Sequence, residues 1–101
     1  MSEYHERDAE LTAATRDYHR ALSSLQEELE AVDWYQQRID CCSDRELSSI
    51  LAHNRDEEME HACMLLEWLR RTMPGWDGKL RTYLFSKQPV TSVEQVAESH
   101  G

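Results

Sequence analysis

A chain of 101 residues, 40% apolar and 31% charged, with three Gly and two Pro, has room for one small helical domain. Twenty acids against eleven bases leave a net charge of −9, which argues against nucleic acid as a partner and suits a surface that attracts cations. No apolar run approaches the roughly 20 residues of a membrane span, and the polar, acidic start MSEYHERDAELT does not read as a signal peptide.

A reducing, cytoplasmic setting is the expectation. It agrees with the cysteines, Cys41, Cys42 and Cys63. An odd number with two adjacent gives no disulfide framework, and C-C lacks the gap of a metal or redox C-x-x-C. They read as structural or idle thiols.

The first predicted helix runs from about Glu6 to Ile39. Its apolar seam is Leu11, Ala14, Tyr18, Ala21, Leu25, Val32, Tyr35 and Ile39. The steps alternate three and four, the period of a packed bundle. The step between Leu25 and Val32 is taken by an acid, Glu28. The turn DCCSDRE follows, and Ser43 with Glu46 reads as a capping box that opens a second helix, about 44–72. That helix stops at Pro74-Gly75. Its seam is Leu47, Leu51, Ala62, Leu65 and Leu69, again interrupted by an acid, Glu58, with His61 three residues on. The pattern weakens over 75–101. WDGKLRTYLF predicts a short helix ending near Phe85. Thr91 and Glu94 predict a second capping box before a two-turn helix with Val93, Val96 and Ala97. There is no solenoid repeat, no Gly-rich phosphate loop and no Ser-His-Asp pattern.

Positions equally far from the turn of an antiparallel helix pair face each other. Glu28 lies 15 residues before Ser43 and Glu58 lies 15 after it, so both sit about 22 Å up the hairpin. Glu-x-x-His places Glu58 and His61 side by side on one helix face. Glu28, Glu58 and His61 therefore belong to one layer of the seam. Carboxylates buried there without a partner cost several kcal/mol each, or protonate. One remedy is Arg55, the base of the second helix near this layer and about 60° round from Glu58. The other is a metal ion: carboxylate oxygens with an imidazole suit iron, manganese or zinc. A structural polar layer remains the alternative.

A two-helix hairpin cannot hide its seam alone, and a chain this small buries too little surface unless it associates. A symmetric dimer makes four helices of two hairpins. Two copies of Glu28 and Glu58-x-x-His61 then supply the ligand set of a di-iron carboxylate bundle, with the di-metal site on the dimer axis. The predicted fold is thus all-α: a two-helix antiparallel hairpin plus a short C-terminal helix, forming one half-bundle domain over 1–101 and dimerising into a ferritin-like four-helix bundle.

The runs EELEAVDWYQQR (27–38), LAHNRDEEMEHACMLLEWLRR (51–71) and LRTYLF (80–85) resemble the encapsulated ferritins, cargo proteins of encapsulin nanocompartments. The resemblance covers most of 20–85. It implies a ferroxidase that binds two Fe(II) between subunits, oxidises them with O₂ and feeds iron mineralisation. It implies a ring of dimers, with storage inside an encapsulin shell. Carried onto this chain, the ferroxidase ligands are Glu28, Glu58 and His61. An accessory metal-attracting site matches Glu27 and Glu30, with Trp34 beside the route. The family also carries a C-terminal encapsulation peptide, whereas this chain ends VAESHG without an apolar tail motif.

Read from the residues alone, Glu27 and Glu30 are a solvated acidic face, and Trp34 a packing contact with a neighbouring subunit. Tyr35 lies in the seam two turns from Glu28, as core or as a hydroxyl near a ligand. His53 falls off the seam, at the surface or an interface. His5, His19 and His100 carry no legible signal, and Met59 and Met64 read as ordinary packing. Two rival functions remain: a non-enzymatic dimeric bundle whose acidic layer only sets register, and a zinc hydrolase. The second lacks H-E-x-x-H, since His53 and His61 are eight apart with Asn54 next to His53.

Overall fold

The computed structural model describes residues 3–100, with the side chain of His100 outside the description. Four α-helices follow one another: α1 Ala13–Cys41, α2 Arg45–Thr72, α3 Trp76–Tyr83 and α4 Val90–His100. No strand occurs among the described residues, and no helix is long and apolar enough to cross a membrane. The chain forms two compact units, Met1–Trp68 and Leu69–Gly101.

In the first unit, α1 and most of α2 form the predicted hairpin. α1 begins seven residues later than the periodicity suggests, because Thr12 caps it: its hydroxyl oxygen accepts the Thr15 N–H at 3.0 Å. The residues before it include a single 3-10 turn at Asp8–Glu10, tied back by the Arg16–Asp8 ion pair of 3.1 Å. Leu11 is extended rather than helical, and Ala14 is exposed in the first turn. From Tyr18 onward the seam holds. Ala21 is buried, and Leu25, Glu28, Val32, Tyr35 and Ile39 are half-buried.

The second helix starts within a residue of expectation but with a different cap. Asp44, not Ser43, accepts the Leu47 N–H, at 2.8 Å. Asp44 also gives its carbonyl to the Ser48 N–H, at 2.9 Å. The Asp44 carboxylate sits at the position from which an anion meets both the orphan N–H groups and the helix dipole. Leu47 is exposed in the first turn, whereas Leu51, Glu58 and Leu65 are half-buried and Ala62 is buried. Arg55 reaches across the hairpin to Gln36 (2.7 Å) and along α2 to Asp56 (3.0 and 3.1 Å). It is thus committed away from Glu58, the pairing its wheel position allowed. Tyr18 and Trp68 meet edge-on, 6.4 Å between ring centroids.

In the second unit, Leu69 is fully buried. Gly75 turns the chain with φ 105°, a region that a Cβ disfavours. α3 then ends at Tyr83, two residues before the expected limit, and Phe85 beyond it has φ 62° and lies fully in solvent. Asp77 fixes α3 by accepting from Arg81 at 2.9 and 3.0 Å and by pairing with Arg70. The two guanidiniums hold its carboxyl below the usual range, Arg81 first. α4 begins at Val90 with Pro89 as its cap, whose carbonyl accepts from Ser92 and Val93 at 2.9 and 3.0 Å. Thr91 therefore lies inside the first turn, and the helix is longer than two turns. Val93 and Ala97 are half-buried, while Val96 is exposed.

Candidate metal centre

Glu28 on α1 and Glu58 and His61 on α2 meet within the hairpin. Glu28 lies 13 residues before Cys41, the end of α1, and Glu58 lies 13 after Arg45, the start of α2. Equal helical rise then brings the two acids level. His61 Nδ1 is 3.5 Å from Glu28 Oε2 and 3.7 Å from Glu58 Oε2. One ligand atom from each residue falls within 4.8 Å of the others. Metal–oxygen and metal–nitrogen bonds of about 2.1 Å place a single ion between donors so spaced. Among the described residues this is the one cluster of three such groups.

The electrostatics are those of a site short of positive charge. Glu28 Oε2 is buried and has no hydrogen-bond partner among the described residues. Its side chain is 22% exposed and that of Glu58 26%. The Glu28 carboxyl is pushed above its usual range. The facing Glu58 carboxyl is the main cause, because a proton between the two is favoured. Burial and the Glu58 charge add to this, while His61 acts in the opposite direction. A buried acceptor with no donor is costly. A cation at the trio would satisfy it, and two carboxylates with an imidazole nitrogen are the donors that iron, manganese or zinc accept.

Neither Glu27 nor Glu30 joins the trio's group of ligand atoms. Glu27 and Glu30 are exposed on α1, and Trp34 is half exposed there. Tyr35 is half-buried with the Arg38 guanidinium over its ring, 5.1 Å from the centroid. His53 is exposed and pairs with Glu57 at 3.2 Å. His19 lies against Tyr4, with ring centroids 4.6 Å apart and the planes tilted by 56°. Cys41 and Cys63 are exposed free thiols, and Cys42 is half-buried. Sequence reasoning overlooked Glu57, whose other oxygen lies 3.9 Å from His61 Nε2. The signal was available in the four-residue spacing of His53, Glu57 and His61 along one helix face.

The model of the EncFtn-like family matches residues 3–87. The chain belongs to the EncFtn-like family. Among its EncFtn-like and ferritin-like relatives, the "Ferritin-like protein" of Thermotoga maritima is 61% identical over 92% of this chain and 82% of its own length. The "Encapsulated ferritin-like protein" of Rhodospirillum rubrum is 60% identical over 83% of this chain, a match that spans 60% of the relative. The crystal structure of protein ne0167 from Nitrosomonas europaea has the same fold. Its TM-score is 0.84 at 58% identity, covering 88% of this chain and 98% of that one. The family match ends before α4 begins.

Proposed function

We propose that this EncFtn-like chain is a ferroxidase subunit, one half-bundle domain whose di-iron site is completed by a second copy. The observation that carries the reading is the Glu28 carboxylate. It is half-buried in an apolar seam, with Oε2 itself buried and without a hydrogen-bond partner, and set against Glu58 and His61 at the range from which a metal is held. Iron is the substrate. Two copies of the trio would supply four carboxylates and two imidazoles, and Glu28, Glu58 and His61 of both copies would hold the two irons. Each Fe(II) gives one electron. O₂ takes two electrons with two protons as hydrogen peroxide, or four electrons with four protons as water. Hard carboxylate oxygens favour Fe(III) over Fe(II), so the ligand set itself assists oxidation. Glu27 and Glu30, with Trp34, would form the accessory site that attracts iron on its way in.

Exposed apolar residues support the second copy. Leu29, Ile50, Met59 and Met64 are each 44–59% exposed, so the methionines do not pack inside this hairpin as expected. A second copy would cover some of these exposed apolar side chains. A ring of dimers, an encapsulin shell as partner, and residence inside that nanocompartment complete the proposal. The shell is supported by the name of the Rhodospirillum rubrum relative.

The experiment is anaerobic Fe(II) addition followed by O₂, with absorbance of the ferric product. The expected result is two irons per dimer and rapid oxidation, lost in Glu58→Ala and His61→Ala while circular dichroism stays helical. Glu30→Ala should alter the rate yet keep two irons. Wild-type rates in the first two variants would overturn the reading. A layer that only sets register is the second reading, and the upward shift of Glu28 favours it, since a shared proton also reconciles the two acids. Its mark is an unchanged oligomer that takes up no iron.

A further inference from the structure

The two nitrogens of His61 face different acids. Nδ1 lies toward Glu28 and Glu58, at 3.5 and 3.7 Å. Nε2 lies toward Glu57 Oε2, at 3.9 Å, an ion-pair distance longer than a hydrogen bond. Glu57 in turn is held from the other side, with His53 Nε2 3.2 Å from its Oε1. The carboxylate thus stands between imidazoles four residues before and four after it on α2.

A neutral imidazole carries one N–H, and the bare nitrogen is the one that binds a metal. In the metal-free protein, Glu28 and Glu58 draw that proton onto Nδ1, where it blocks the lone pair facing the site. An acceptor at Nε2 opposes them. We propose that Glu57 is a positioning residue for His61: it holds the proton on Nε2, leaves Nδ1 free for metal, and is itself steadied by His53. Carboxylates behind metal-binding histidines act in this way, and their loss typically weakens metal binding by about ten- to a hundredfold. This rests on the metal reading of the trio, but the proton position is observable without metal.

The test has two readouts. In the metal-free protein, with the ring neutral, ¹⁵N chemical shifts give the tautomer of His61. Co(II), a redox-silent stand-in for Fe(II) with visible absorption, gives the affinity. Glu57→Ala is expected to move the proton towards Nδ1 and to weaken Co(II) binding by about tenfold. Glu57→Gln, which loses the charge but keeps an acceptor oxygen, should retain the Nε2–H form and recover most of the affinity. Glu60→Ala is the control, removing a nearby charge from α2. A wild-type tautomer in Glu57→Ala overturns the proposal. So does an equal loss of affinity in Glu60→Ala, which would mean that only charge is felt. If the wild type binds no Co(II), the metal reading fails, and the tautomer comparison still decides what Glu57 does.

Discussion

Glu28 is where the apolar seam and the acidic layer conflict, and that conflict has a pH signature. Its carboxyl is raised above the 4.5 of a free glutamate. Above 4.5, over the window set by that rise, the folded, metal-free chain binds more proton at this group than the unfolded chain does. Stability linked to this group is complete below about 4.5 and is lost as pH rises through the raised folded value. Urea unfolding in the presence of a chelator should show this fall, and Glu28→Gln should flatten it. An identical slope in the variant would place the titrating group elsewhere. Glu28, Glu58 and His61 were legible in the sequence because each interrupts or adjoins a seam whose period is strict. For Glu57 only the four-residue spacing to His53 and His61 was legible; which side of the imidazole it meets depends on ring orientation, which has no sequence period.

The α1 and α2 bodies were legible from their three-four steps, but their ends were set by single side chains. Thr12 stops α1 from running back to Glu6, and Asp44 starts α2 although Ser43 and Glu46 also fit a capping pattern. Hydrophobic period says which residues face inward and is silent about which oxygen meets the first free N–H groups. The C-terminal stretch was least legible because its helices are short, and Pro89 rather than a hydroxyl residue opens α4. Asp44→Ala should destabilise the protein by about 1 kcal/mol in urea titration, whereas Ser43→Ala should leave the midpoint near wild type. The reverse order would restore Ser43 as the cap.

For the whole molecule, the proposed completion of the site by a second copy would tie metal to assembly. In such a dimer the facing carboxylates would weaken the metal-free interface, and a ligand held only by the assembled form would favour it by mass action. Dilute metal-free protein is therefore expected to contain more monomer, and Fe(II) to convert it to larger species. Native mass spectrometry at fixed concentration, with and without iron or chelator, reads this directly. Glu58→Ala should not respond. A wild-type response in that variant would assign the effect to another surface.

The level pairing of Glu28 and Glu58 also makes the gene sensitive to a lesion that substitutes nothing. One extra codon placed in frame inside α2 ahead of Glu58 turns everything beyond it by about 100° around the helix axis. Glu58 and His61 would then leave the face that Glu28 looks upon. An alignment would still show Glu28, Glu58 and His61 intact, with reading frame and spacing within Glu-x-x-His preserved. Such an allele would pass any inspection of residue identities and lack the centre altogether.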